Sequence, residues 1–296
     1  MRPYRYILTR MLPRHIAVIG SGTMGSGIAQ AFAQSGFSVT LQDIAQPALD
    51  RARAGIEKSL AKFVERGKLP AADRDAALGR LTVMTDFDAR ASADYVIEAI
   101  IEDVGAKRAL FGRLDALVAA DTILTSNTSS ISLTLLGAAT KRPHKVLGMH
   151  FMNPVPLMAL VELIRGQSTS AESMRVATEL TTALGKVPVE AADYPGFIAN
   201  RILMPMINEA FFALMEGVGT AEAIDMVMKL GMNHAMGPLT LADFIGLDVC
   251  LAILDVLHDG IGDPKYRACP LLRRYVAAGQ LGRKSGQGVY DYTTRS

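Results

Sequence analysis

Two side chains stand where proton chemistry needs them and where an ordinary core would not hold them. His150 follows the apolar run Lys145-Val146-Leu147-Gly148-Met149, and Glu162 lies inside Ala159-Leu160-Val161-Glu162-Leu163-Ile164. Both runs read as strands. An unpaired carboxylate buried in the second would cost several kcal/mol, so Glu162 needs a cationic or donor partner. His150 is the natural one: a carboxylate bonded to one imidazole nitrogen fixes the tautomer and leaves the other nitrogen to exchange a proton with a substrate. The plainer alternatives are a satisfied core histidine and a glutamate facing solvent on an edge strand.

Two further polar groups interrupt apolar surroundings. After the strand Thr122 to Thr125 come five consecutive hydroxyl or amide residues, Ser126-Asn127-Thr128-Ser129-Ser130. That is more than a helix cap requires, so some of them should face a cofactor or a reacting oxygen. Asn127, Thr128 and Ser129 are the candidates for that role, with Asn127 set beside the cofactor; Ser126 and Ser130 keep the capping reading. Asn200-Arg201 breaks the helical run from Phe197-Ile198-Ala199 into Ile202-Leu203-Met204. Asn200 is either a substrate-positioning amide or part of an exposed face.

The sequence Gly20-Ser21-Gly22-Thr23-Met24-Gly25 has the spacing of a dinucleotide turn. The first glycine permits the tight turn, the second lets backbone approach a pyrophosphate, and the third lets helix pack on strand. Thr23 and Met24 open the helix whose positive end meets the phosphates. A triplet alone is weak evidence, but this one follows the strand His15 to Ile19, and Asp43 closes the next strand. Asp43 would accept hydrogen bonds from the ribose hydroxyls and repel the extra phosphate of NADP, so NAD is the expected cofactor. Asp43 as a simple helix cap is the alternative, and a flavin would share the same turn.

These residues need a scaffold that gathers strand ends. Strands recur at 37–41, 95–99, 122–125, 145–149, 159–164 and 187–189, with helical stretches such as 107–119 and 171–184 between them. Alternation of this kind predicts a Rossmann-type, mostly parallel α/β sheet whose carboxyl ends line a crevice. Residues 47–80 read as an inserted helical arm, and its stretch from Arg51 to Arg80 carries eight basic residues against four acids. An anionic ligand suits such an arm; a solvated helix face is the alternative. Asp193-Tyr194-Pro195-Gly196 marks a break, beyond which the pattern is helical. The expected organisation is a leader at 1–13, a dinucleotide-binding domain at 14–192 and a smaller all-α domain at 193–296. Arg2, Arg5, Arg10 and Arg14 give the leader a faint transit-segment character, with Met11 the favoured start.

Composition narrows the function classes. A net charge of +2 over 296 residues argues against a nucleic-acid partner. No apolar run reaches the roughly 18 residues that span a bilayer, so no membrane helix is expected. Two cysteines, Cys250 and Cys269, suggest neither a disulfide framework nor a metal site, which fits a reducing cytosol.

Taken together, these motifs resemble the L-3-hydroxyacyl-CoA dehydrogenases, closest to the bacterial 3-hydroxybutyryl-CoA type. The resemblance covers the chain after about Arg14. It is carried by the glycine turn, Val96-Ile97-Glu98-Ala99 with Glu102, the Ser126 to Ser130 cluster and His150-Phe151-Met152-Asn153-Pro154-Val155-Pro156. It continues in Pro195-Gly196-Phe197-Ile198-Ala199-Asn200-Arg201, Met236-Gly237-Pro238 and Asp243-Phe244-Ile245-Gly246-Leu247-Asp248. It implies that His150 is the base, Glu162 its partner, and Ser129 and Asn200 polar groups at the reacting end of the substrate. It adds Glu102, Lys107, Asn153 and Lys284 to Asp43 and Ser129 in the NAD site, and assigns Ser59 and Lys68 to coenzyme A. The implied reaction is NAD-dependent oxidation of a short 3-hydroxyacyl-CoA, in fatty-acid or butanoate metabolism, by a homodimer joined through its helical domain. Met152 and Ala159 stand where the family frequently has Phe and Lys. A dehydrogenase of free hydroxy or sugar acids and a non-catalytic nucleotide binder are the rival readings.

Overall fold

The computed structural model describes residues 12–88 and 92–293. The expectations of a leader at 1–13 and of Met11 as the favoured start fall outside them apart from residues 12 and 13. The chain divides between Asp193 and Tyr194 into two compact units.

The first unit is built on one eight-stranded sheet of order β3-β2-β1-β4-β5-β6-β7-β8. Its strands are β1 His15–Ile19, β2 Ser38–Gln42, β3 Leu81–Met84, β4 Tyr95–Glu98, β5 Ile123–Ser126, β6 Val146–Phe151, β7 Leu160–Arg165 and β8 Val187–Ala192. All four residues from Ile16 to Ile19 are buried, as a central strand covered on both faces requires. Only β7 runs antiparallel to its neighbour β6. The link from Met152 to Ala159 explains this, because a parallel return needs a crossover of about a dozen residues or more. Strand β3 was not expected from the sequence, which closes the helical arm at Arg80 and resumes at Tyr95. It pairs with β2 at the sheet edge.

Helices α1 Thr23–Gln34, α2 Gln46–Glu65, α3 Ala71–Gly79, α4 Val104–Leu117, α5 Leu133–Gly137 and α6 Ala171–Ala183 connect these strands. Ile28, Ala29, Ala31, Phe32 and Ala33 give α1 a small, apolar surface that joins the sheet core with Val18, Val39 and Leu147. Helix α2 is different. Along its length it buries only Leu49, Ala52, Ile56 and Leu60, one stripe at helical spacing, and leaves its charged faces in water.

The second unit is helical: α7 Ala199–Met215, α8 Ala221–Met226, α9 Pro238–Ile245, α10 Leu247–Ile261 and α11 Pro270–Ala277. Phe211, Leu239, Leu247, Leu254 and Leu272 form its core. Two buried acids close it. Asp225 accepts hydrogen bonds from the N–H groups of Leu239 and Thr240 and from the Tyr290 hydroxyl. Asp243 accepts from the N–H groups of Val289 and Tyr290. Burial raises the Asp243 carboxyl above its ordinary range, although these hydrogen bonds oppose the shift. Cys250 and Cys269 are both buried free thiols. Among the described residues no helix is long and apolar enough to cross a membrane, and no cluster of His, Cys, Asp and Glu is suited to hold a metal.

Candidate active site

Gly20 adopts a φ of +99°, the left-handed region that glycine tolerates, and its N–H donates to the Gln42 carbonyl. A side chain there would meet the Ala99 carbonyl oxygen at 2.4 Å. Gly25 is tighter still: a Cβ would lie 1.8 Å from the Gly20 oxygen. Gly22 has a different environment. A Cβ built on it meets no protein atom within 4 Å, and it forms the N-cap of α1 with no side chain capping the helix. Thr23 is exposed and Met24 half-buried in the first turn that follows. The surface over Gly22 is thus a smooth, uncapped helix N-terminus, which fits the pyrophosphate of a dinucleotide.

Asp43 follows β2, and its Oδ2 accepts from the Ser21 N–H at 2.8 Å and the Ser21 hydroxyl at 2.7 Å. Burial works against the charged form, but those bonds, with N–H donors from Ala45 and Ile44, outweigh it and hold the carboxyl below the usual carboxylate range. The acid therefore pins the glycine turn as well as presenting charge beside it. The N-cap of α2 is Ala45, so Asp43 is not the cap of that helix.

His150 lies within β6, one residue before its end, and directly opposite Glu162 on β7 in the antiparallel register. Its Nδ1 is 2.7 Å from Glu162 Oε2. Glu162 is 1% exposed and His150 9%. One strand pair therefore delivers both members, because a directly opposed antiparallel pair places its side chains on the same face. Asn127, at the end of β5, accepts a hydrogen bond from the Phe151 N–H through its side-chain oxygen at 2.9 Å. That bond ties the polar cluster to the strand that carries His150.

The cluster itself is organised by acids. Glu102 Oε1 accepts from the Ser129 N–H and the Ser130 hydroxyl, both at 3.0 Å, and from the Thr128 hydroxyl. Lys107 is 1% exposed, and its Nζ lies 2.5 Å from Glu98 Oε1 and 3.3 Å from Glu102 Oε2. With its ammonium enclosed by two carboxylates, Lys107 reaches the crevice through Glu102. Asn153 is exposed on the β6–β7 link. On the arm, Ser59 is half-buried on α2, and Lys68 is exposed in the turn before α3. In the second unit Asn200 is buried in the first turn of α7, and Lys284 Nζ pairs with Asp248 at 2.5 Å. Glu98 was quoted from the sequence only within a motif. Its signal is the one that singled out Glu162, a carboxylate ending an apolar strand.

A parallel sheet that carries a dinucleotide turn and, at the same strand ends, an imidazole–carboxylate pair defines the class of NAD-dependent dehydrogenases. Two family models match nearly the whole length: the 3-hydroxyacyl-CoA dehydrogenase NAD binding domain over residues 15–194 and its C-terminal domain over residues 196–292. The chain belongs to the 3-hydroxyacyl-CoA dehydrogenase family. It is 58% identical to a probable 3-hydroxybutyryl-CoA dehydrogenase of Deinococcus radiodurans, over 93% of this chain and 99% of that one. It is 50% identical to 3-hydroxybutyryl-CoA dehydrogenase of Clostridioides difficile, over 94% of this chain and 99% of that one. The crystal structure of (S)-3-hydroxybutyryl-CoA dehydrogenase from Ralstonia eutropha superposes with a TM-score of 0.93 at 48% identity, covering 95% of this chain and all of that one.

Proposed function

We propose that this enzyme oxidises short (S)-3-hydroxyacyl-CoA thioesters, 3-hydroxybutyryl-CoA foremost, to 3-ketoacyl-CoA, and runs the reverse reduction, with His150 as the base. The observation that carries the reading is the 2.7 Å contact between His150 Nδ1 and a buried Glu162. Glu162 occupies Nδ1, so Nε2 is the nitrogen that takes the 3-hydroxyl proton. The imidazolium that forms is stabilised by the carboxylate beside it. NAD, when bound, supplies the acceptor for the hydride that leaves the same carbon. Ser129 and Asn200 hold the reacting oxygen, and Asp43, Asn127, Asn153, Glu102, Lys107 and Lys284 serve the cofactor. Ser59 and Lys68 on the basic arm receive the phosphates of coenzyme A. The names of the relatives support the four-carbon substrate, and the reaction is assigned to fatty-acid or butanoate metabolism in the cytoplasm as part of the same proposal.

The direct test is loss of NADH absorbance with acetoacetyl-CoA against free acetoacetate. Turnover confined to the thioester is the expected result. Equal turnover of both substrates would overturn the coenzyme A assignment.

Glu162→Gln is expected to lower kcat by roughly 10- to 100-fold, because the amide no longer stabilises the imidazolium. NADH affinity, read by fluorescence titration, should stay within about twofold. A loss that falls on NADH binding instead would sever Glu162 from the proton step.

The homodimer is supported by an apolar surface on the second unit. Val218, Met226, Val227, Leu230 and Met232 are exposed around α8 and the π-helical turn Val227–Gly231, Leu230 at 79%. A patch of this kind suits contact with a second copy of the chain. Sedimentation should give about twice the 31.7 kDa chain mass, and Leu230→Asp should shift it toward the monomer. A monomeric wild-type enzyme at micromolar concentration would exclude the dimer.

A further inference from the structure

Glu98 is the most deeply buried acid of the first unit's crevice, and the proton step described above does not use it. It ends β4 with 0% exposure. Three donors from three different elements converge on its carboxylate. The Ile100 N–H donates to Oε1 at 2.7 Å, Lys107 Nζ from α4 donates to the same oxygen at 2.5 Å, and the Ser126 hydroxyl at the end of β5 donates to Oε2 at 2.6 Å. A carboxylate with that many donors at full burial is over-determined for a merely tolerated core acid.

Each donor leads to a part of the crevice. Ile100 and Ala99 form the backbone against which Gly20 packs, and the Ala99 N–H donates to the Ile19 carbonyl at 2.7 Å. Glu98 therefore anchors the wall behind the glycine turn. Ser126 Oγ in turn accepts from the Thr128 N–H at 3.1 Å, which sets the start of the Thr128–Ser130 turn. Lys107 bridges to Glu102, whose Oε1 gathers Thr128, Ser129 and Ser130. The backbone carbonyl of Glu98 also accepts the Asn127 N–H at 2.7 Å.

The electrostatics point the same way. Lys107 is the shared cation of two carboxylates, one fully buried and one, Glu102, with a side chain 40% exposed. Without the charge on Glu98, the ammonium would be drawn wholly to Glu102 and would compete with the three donors that Glu102 holds. The turn carrying Ser129 would lose its reference point.

We propose that Glu98 is a positioning residue that aligns the glycine turn and the Ser126–Ser130 segment with one another, directly through Ile100 and Ser126 and indirectly through the Lys107–Glu102 pair. It touches neither cofactor nor substrate in this scheme. Its effect on the acyl-CoA reaction rests on the reading above, but its effect on the dinucleotide end does not.

The test is a double-mutant cycle on NADH affinity with Glu98→Gln, Glu102→Ala and the double variant, each titrated by NADH fluorescence with no acyl-CoA present. Failure of the acyl-CoA assignment would leave this readout intact. Glu98→Gln keeps the shape but exchanges one acceptor oxygen for an amide donor and removes the charge that pairs Lys107, so the melting temperature should fall while the NADH Kd rises about tenfold. Because one of the routes from Glu98 runs through Lys107 and Glu102, the double variant should lose less NADH affinity than the product of the two single losses. An unchanged Kd in Glu98→Gln, or losses that simply multiply, would overturn the proposal. Should Glu98→Gln fail to fold, Ser126→Ala removes one arm of the same hub. A Kd raised about threefold is then expected, and a wild-type value would overturn the proposal equally.

Discussion

His150→Gln should lower kcat by about a thousandfold or more while NADH still binds with nearly wild-type affinity. The choice of glutamine matters. Its amide can donate to Glu162 Oε2 in place of Nδ1, now at 2.7 Å, so the buried carboxylate keeps a partner. Alanine would take the His150 bond away from that carboxylate and would confuse a chemical loss with a folding loss of about 1–3 kcal/mol. What glutamine cannot do is take a proton. Steady-state kcat and an NADH titration on the same preparation separate the two functions. A variant that keeps a tenth or more of wild-type kcat would place the base elsewhere, and a variant that fails to bind NADH would make His150 a structural residue of the crevice.

The residues differ in how they could be read from sequence, and the difference is physical. The glycines and Asp43 are legible because their requirements are local: a turn, a helix start and the end of the adjacent strand lie within a short stretch of chain. His150 and Glu162 are legible for an energetic reason, since an acid inside an apolar strand has to be paired. Their direct opposition was not read, because that needs the direction of β7. The signal was nevertheless present in the link from Met152 to Ala159, which is too short for a crossover helix. Strand β3 escaped because Leu81–Met84 is short and only Leu81 is fully buried, so it lacks a clear period. Lys107 was named by resemblance alone. On α4 it reads as an ordinary surface lysine, and only the fold brings Glu98 and Glu102 around its ammonium. Asn127 was expected toward the cofactor, and the structure adds a bond from the Phe151 N–H that no spacing rule contains.

The glycine turn supports the other large effect, because its three positions make separable demands. Gly25→Ala would place a Cβ 1.8 Å from the Gly20 carbonyl oxygen and 2.9 Å from the Gly20 carbonyl carbon. Both partners are backbone, so no rotamer change relieves the contact, and α1 must move away from the β1 turn. The expected cost is about 3 kcal/mol of stability or more, together with an NADH Kd raised about a hundredfold. Gly22→Ala is the control that turns this into a statement about binding. Gly22 has a φ of −65° that any residue can adopt, and its added Cβ meets no protein atom within 4 Å. The melting temperature of Gly22→Ala should therefore match wild type, yet its NADH Kd should rise about tenfold or more, because the methyl group stands where the pyrophosphate approaches the backbone. Thermal melts and NADH titrations of the two variants measure packing and ligand approach independently. A Gly22→Ala enzyme that binds NADH as wild type does would mean that the pyrophosphate does not dock on this turn, whatever Gly25→Ala does to the fold.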